Sequence, residues 1–421
     1  MSAPRSWQRC DDCGHELDEL DPRPRCPVCN GLLAIVHATT VSRQTFDQYA
    51  SPSGVWRFAD LVLPTAAPMA VSYPEGNTPL ISRSRISDWC GIDELRVKHE
   101  GLNPTGSFKD RGMTVGITQA KRIGARAVAC ASTGNTSASL AAYAAQAGIP
   151  ALCLVPDGQV TTGKLTQTLA YGARTLLVDG DFDACLRLMQ QASVELGVYL
   201  LNSINPFRLE GQKTIVFELL RQLDWHAPDW IALPAGNLGN TAAFGKAIDE
   251  AMAHGLIDRR PRLAAEQAEH ASPFAAAFAR EFDQLVPVHA DTIATAIKIG
   301  APASYARGVR AIRSTNGVAI SVTDAEILAA KGVIDAAGVG CEPASAASLA
   351  GVRKLRASGT IRPNESVVAV LTGHILKDSG ILQQIHSPQS IAPDSANLPV
   401  RIGASVQAIG TLLDSMPTGP R

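Results

Sequence analysis

Aromatic and charged residues are scarce in this chain, at 5 % and 18 % of 421 residues. Lysine and arginine together number 38 and the acidic residues 39, a formal net charge of −1. No basic surplus exists to argue for nucleic acid, and no field of one sign to draw the chain to a membrane surface. No apolar stretch reaches the length of a membrane span, and Met1-Ser2-Ala3-Pro4-Arg5-Ser6 has no signal-peptide core. Neither nucleic acid nor membrane is expected as a partner, and the cytoplasm is the expected location. What is plentiful is small and apolar: 46 % hydrophobic residues and 35 glycines. That is the profile of an α/β protein whose helices lie close to a sheet, in a chain long enough for two or three domains. Neither an internal repeat nor a long low-complexity run interrupts it.

The nine cysteines fall into two groups. Cys90, Cys130, Cys153, Cys185 and Cys341 are scattered and read as buried free thiols. Cys10, Cys13, Cys26 and Cys29 form two C-x2-C pairs in a polar, proline-rich stretch. Two such knuckles offer four thiolates to a tetrahedral ion, so residues 1–45 are expected to form a small zinc ribbon with structural Zn2+. A ribbon that has lost its ion, or one that holds iron, are the alternatives. A module this small needs a metal to fold, so function does not follow from it.

From about residue 95 strand-like and helix-like segments alternate. Strands are predicted at Leu95–Lys98, Arg126–Ala131, Ala151–Pro156, Arg174–Asp179, Asp229–Pro234 and Ser366–Leu371. Helices are predicted at Ser137–Gly148, Gly163–Tyr171, Asp183–Leu196, Thr214–Leu223, Thr241–His254, Ala303–Ser314, Asp324–Ala336 and Ala344–Ala357. Repeated β-α steps argue for parallel sheets wrapped by helices. The tail 381–421 is polar and proline-containing, with an amphipathic helix expected near Ser405–Leu413.

Four segments carry chemistry. In Asn103-Pro104-Thr105-Gly106-Ser107-Phe108-Lys109-Asp110, a lysine follows a Gly/Ser turn at the start of a helix. A lysine that forms a Schiff base must lose its proton near neutral pH, and desolvation and a helix N-terminus both favour that; alone, an ordinary solvated lysine is the simpler reading. Ser132-Thr133-Gly134-Asn135-Thr136-Ser137 joins a strand to a helix and can receive a carboxylate, or merely cap the helix. Gly236-Asn237-Leu238-Gly239-Asn240 can surround a phosphate with backbone N–H groups and is neither a dinucleotide fingerprint nor a P-loop. Leu371-Thr372-Gly373-His374 ends the last strand, where ligands gather in open α/β sheets. The three loops around Lys109, Asn135 and Gly236 together point to pyridoxal phosphate.

In that order these segments resemble the fold-type II pyridoxal-phosphate enzymes, and among them the threonine synthase family. Asn202-Ser203-Ile204-Asn205-Pro206-Phe207-Arg208 and Cys341-Glu342-Pro343-Ala344-Ser345 resemble two further family stretches. The similarity spans about residues 70–380. It implies two parallel-rich open α/β domains with the cofactor between them, in a catalytic region 51–380 whose small subdomain, about 110–205, is inserted in a larger one. It implies Lys109 as the Schiff-base lysine and proton shuttle, and Asn135 at the cofactor's 3′-oxygen. Gly236, Asn237, Leu238, Gly239 and Asn240 would bind the cofactor phosphate and Thr372 its ring nitrogen. Ser132, Thr133 and Thr136 would hold the amino-acid carboxylate. Asn202, Ser203 and Arg208 would grip the phosphate of O-phospho-L-homoserine, whose conversion with water to L-threonine and phosphate is the implied reaction. A homodimer is the family expectation. Lys298 and Ala301 stand where the family usually carries Arg and Asn. The alternatives are a serine/threonine dehydratase or a cysteate synthase-like β-replacement enzyme of the same fold, or a non-catalytic regulatory relative.

Overall fold

The computed structural model describes residues 6–48, 51–132, 134–158, 162–180 and 182–415, and among these the strands form three sheets. The first is antiparallel: Ser6–Cys10 lies between Glu16–Leu17 and Leu33–His37. Its side chains alternate, with Ser6, Gln8 and Cys10 turned inward, as a half-buried strand requires. Cys10, Leu17, Cys26 and Leu33 make its own small core.

The largest sheet runs, in spatial order, Val318–Val322, Arg262–Ala268, Trp230–Pro234, Val367–Leu371, Leu95–His99 and Leu80–Ile81. Every neighbouring pair is parallel except the last. Trp230–Pro234 and Val367–Leu371 are buried at every residue, the apolar run of a parallel strand covered on both faces. The helix Pro343–Ala357 lies across this sheet with Ala344, Ala346, Ala347 and Ala350 buried, which lets it approach closely. The third sheet is wholly parallel, in the order Arg174–Val178, Ala151–Pro156, Ala127–Ala131, Val198–Leu200.

The helices and strands expected from the alternation are all present, most within two residues of their predicted ends. One helix differs: it starts at Pro206 rather than Thr214, because Asn205 caps it, its side chain accepting from the N–H groups of Phe207 and Arg208 (3.1 and 3.3 Å). Leu80–Ile81, Val198–Leu200, Arg262–Ala268 and Val318–Val322 are additional strands of the two larger sheets. In the tail, Ile381 and Ile385 pack on Leu328, while the helix Val406–Ser415 buries nothing. Among the described residues no helix is long and apolar enough to cross a membrane.

The antiparallel module is fastened to the body through charge. Asp11 is held by Arg307 and Arg310, Glu19 by Arg122 (2.8 Å), and the carbonyl of Ile35 by the amine of Lys246 (2.6 Å). Buried Glu210 gathers His37 and Lys213 (2.7 and 2.6 Å) together with Lys246. Arg122, Lys213 and Lys246 lie on three different helices, Lys109–Arg122, Pro206–Gln222 and Gly239–Ala253.

Candidate active site

The segment leading to Lys109 is stitched down before the helix begins. Asn103 donates to the carbonyl and carboxylate of Glu100 (2.7 and 2.9 Å) and accepts from the N–H of Gly76 (2.8 Å). Asp110 accepts from the N–H and hydroxyl of Thr105 (2.7 and 2.6 Å) and from the hydroxyl of Ser139 (2.6 Å). Below them Arg111 is fully buried between Glu100 (2.6 Å) and Glu218 (2.8 Å), with Lys98 also on Glu218 (2.6 Å). Phe108 N–H donates to the carbonyl of Thr372 (3.0 Å), and His374 N–H to that of Gly106 (2.9 Å). Thr372 is thereby drawn beside the start of the Lys109 helix.

The amine of Lys109 sits 4.0 Å from the centre of the Phe108 ring. Removal from water, and after it the guanidinium of Arg208, push its pKa down to about 7 against the opposing pull of Glu342. A lysine so placed is substantially neutral at physiological pH, which nucleophilic attack on an aldehyde requires.

Arg208 is 1 % exposed and donates from Nη1 to the carbonyl of Leu201 (2.9 Å); among the described residues Nε and Nη2 have no hydrogen-bond partner. Burial lowers its pKa to about 10. A buried guanidinium with two free donors and no carboxylate partner among the described residues is built to receive an anion. Asn202 lies at the same strand end, its side-chain oxygen accepting from the N–H of Ala131 (3.2 Å). Ser203 is half-buried in the turn that follows, which Asn205 closes by donating to the carbonyl of Leu200 (2.9 Å).

The loop after Trp230–Pro234 leads into the helix Gly239–Ala253. Leu238 has φ 63°, a conformation costly for a branched side chain. It is held there by burial against Gly308, where an added Cβ would stand 3.0 Å from a Leu238 methyl. Asn237 accepts from the N–H of Ala303 (3.0 Å), and its carbonyl from that of Ser304 (3.2 Å). Gly236 backs onto Ile297; nearby Lys298, one of the two departures from the family pattern, pairs outward with Asp291 (2.8 Å). The amide of Asn240 and the hydroxyls of Thr241 and Ser304 are buried without a hydrogen-bond partner among the described residues. Orphaned donors at a helix N-terminus fit a phosphate such as that of pyridoxal phosphate.

Asn135 opens the helix Asn135–Ala147, half-buried, with Thr136 beside it. Its amide nitrogen donates to both oxygens of Glu342 (3.0 and 3.2 Å). Ser132 accepts from the N–H of Gly134 (3.3 Å), and Thr133 lies outside the described residues. Thr372 shares a hydrogen bond with Ser345 (2.9 Å), and Ser345 also accepts from the N–H of Gly373 (2.9 Å). His374 is occupied in capping, accepting from the N–H of Leu376 (3.2 Å), and burial lowers its pKa.

Glu342 lies in one of the family-like stretches, yet no motif in the sequence marks it as part of the site. Its partner lies 207 positions away. The one signal was its place before Pro343, where a carboxylate normally caps the helix; Glu342 makes no such side-chain bond.

In the ribbon the sulfurs of Cys10 and Cys29 lie 3.4 Å apart and those of Cys13 and Cys26 3.6 Å, and all four gather within 4.8 Å. Four thiolates about 2.3 Å from a common centre have this spacing, so the set fits tetrahedral zinc.

Residues 71–373 match the family described as pyridoxal-phosphate dependent enzyme. The threonine synthase of Methanosarcina acetivorans is 44 % identical over 405 residues, covering 95 % of this chain and 97 % of that protein. The threonine synthase of Synechocystis sp. is 49 % identical over 311 residues, covering 73 % and 78 %. The crystal structure of threonine synthase from Escherichia coli superposes with a TM-score of 0.71 at 20 % identity, over 97 % of this chain and 99 % of that one, a likeness of fold. On the strength of these matches and of the lysine, the orphaned donors and the strand-end loops, the chain belongs to the pyridoxal-phosphate dependent enzymes and, within them, to the threonine synthase family.

Proposed function

We propose that this chain converts O-phospho-L-homoserine and water to L-threonine and phosphate. The observation that carries the reading is the buried Arg208, with two free donors, close enough to Lys109 to lower its pKa. Pyridoxal phosphate, when bound, supplies the conjugated ring into which the electrons of a broken Cα–H bond pass. Lys109 takes the proton from Cα and then one from Cβ. Arg208, Asn202 and Ser203 hold the phosphate as its bond to Cγ breaks. A proton returned to Cγ completes the methyl group, water adds at Cβ, and a proton returned to Cα gives the product. Ser132, Thr133 and Thr136 hold the substrate carboxylate. The five residues Gly236 to Asn240 hold the cofactor phosphate, Asn135 meets the 3′-oxygen, and Thr372 the ring nitrogen. A hydroxyl at that nitrogen does not enforce protonation, which limits diversion into transamination.

The strands between Ala127 and Leu200 form a separate sheet, which accords with a small subdomain of about 110–205 within a catalytic region 51–380. Residues 1–45 are read as a ribbon holding one structural Zn2+, and the remainder after 380 as a tail. A homodimer, expected from the family resemblance, and a cytoplasmic location, expected from the absence of a signal-peptide core in the sequence, complete the reading.

The test is a substrate panel on purified protein, read by phosphate release and product analysis. Release from O-phosphohomoserine with threonine as product is expected. Release from O-phosphoserine alone, with cysteate or pyruvate, would replace this reading with the β-replacement or dehydratase chemistry of the same fold.

A further inference from the structure

Glu342 is a buried acid that joins the two sides of the site. Its backbone N–H donates to the carbonyl of Gly373 (3.1 Å), tying it to the strand end that carries Thr372. Its carboxylate faces away from its own helix and receives the amide of Asn135 at both oxygens. The approach is so close that a Cβ on Gly373 would lie 2.3 Å from the Glu342 carboxyl carbon. Asn135 follows a strand of the four-stranded sheet and Glu342 precedes a helix on the six-stranded one, so the bond crosses between the two sheet systems. The groups facing the carboxyl are Asn135, Lys109, Lys377 and Asp378; burial raises its pKa, and Asn135 and the two lysines oppose that.

A carboxylate can only accept hydrogen bonds, so it fixes which end of the Asn135 side chain is the NH2. With one N–H engaged, the second is left to point elsewhere. We propose that Glu342 is a positioning residue: by holding the amide of Asn135 across the site, it presents the remaining N–H to the 3′-oxygen of bound pyridoxal phosphate and sets the separation between that contact and Thr372. The inference rests on the cofactor reading above and goes beyond it by assigning a role to a residue that acts through Asn135.

The test uses full-length protein stripped of cofactor and titrated with pyridoxal phosphate. Glu342→Ala, and Glu342→Asp, which withdraws the carboxylate by one methylene, are expected to weaken binding about tenfold, as loss of a charge-assisted bond would. Both should also move the pH midpoint of the cofactor absorbance, which a purely structural loss would not do. Glu342→Gln keeps an acceptor at the same reach but not the charge, and is expected to recover part of the affinity while the midpoint stays displaced. In an Asn135→Ala background, Glu342→Asp should add nothing further. Unchanged affinity and midpoint in Glu342→Asp, or an equal effect without Asn135, would overturn the proposal while leaving the cofactor reading intact. A wild-type protein that takes up no cofactor would end both.

Discussion

Lys109 and Arg208 are two basic side chains held close together out of water, with Glu342 as the acid whose charge acts on the lysine. Such an arrangement costs the apoprotein stability and is sustained because ligands repay it. Lys109→Ala is accordingly expected to abolish turnover and the visible absorbance of bound cofactor; a spectrum and an assay of the purified variant check it. Because the Lys109 amine loses its proton near pH 7 rather than near 10, the rate at which apoprotein takes up pyridoxal phosphate should climb as pH rises through about 7 and then level off. Stopped-flow absorbance between pH 5.5 and 9 would follow this, and a rate still climbing at pH 9 would mean an ordinary amine. Arg208→Met should raise KM for the phosphorylated substrate by about two orders of magnitude, equivalent to about 2–3 kcal/mol. The same change should leave the apoprotein as stable as before or firmer by about 1 kcal/mol, since it removes a buried charge without a carboxylate partner. Residue types at Lys109, Asn135, Gly239 and Arg208 were legible in the sequence because each sits in a short local motif. The bond between Asn135 and Glu342 was not, since nothing local records a contact made 207 positions away.

Two helices set the geometry of the site by how closely they cross. Lys109–Arg122 and Pro206–Gln222 meet backbone to backbone, and a Cβ at Gly211 would stand 1.7 Å from the carbonyl oxygen of Arg111. Neither chain can yield locally, so the helices would have to part, carrying Lys109 and Arg208 with them. Gly211→Ala should therefore destabilise the fold by about 3 kcal/mol, at the upper end of overpacking effects, despite the better helix propensity of alanine. Urea unfolding measures that cost, and the same variant should bind cofactor poorly even where it stays folded. Elements were legible wherever apolar periodicity ran uninterrupted. The strand Arg262–Ala268 escaped because Arg-Leu-Ala-Ala-Glu-Gln-Ala has no β-branched residue and puts Glu266 and Gln267, both fully buried, in a sheet interior. Val318–Val322 alternates β-branched residues and could have been read, but its five residues are short for the signal. The early start of the Arg208 helix needed the cap at Asn205 to be recognised, and Asn-Pro is as good a turn signal as a helix start.

At the scale of the molecule, the ribbon behaves as a bearing surface. Its attachments converge on helices that also carry Lys109, Arg208 and the loop before Gly239. A strong chelator is expected to release about one zinc per chain and to lower the thermal midpoint. It should also open residues 1–45 to protease before the rest, which mass spectrometry of limited digests would reveal. Equal protease resistance with and without metal would sink that expectation. Four cysteines in two pairs made the ribbon visible in the sequence; its docking by Asp11, Glu19 and His37 was not visible, because polar and charged residues on a polar module read as solvated surface.

Glu19 accepts from Arg122 through its side chain and from Gln119 through its carbonyl, both near the end of the helix that Lys109 begins. Fourteen residues at 1.5 Å each make that helix an axle about 21 Å long. A tilt of about three degrees at the far journal swings the reactive nitrogen by about 1 Å, enough to cost about a hundredfold in rate. Trimming the first forty-odd residues to obtain a minimal catalyst would thus remove the distant mount of its own nucleophile.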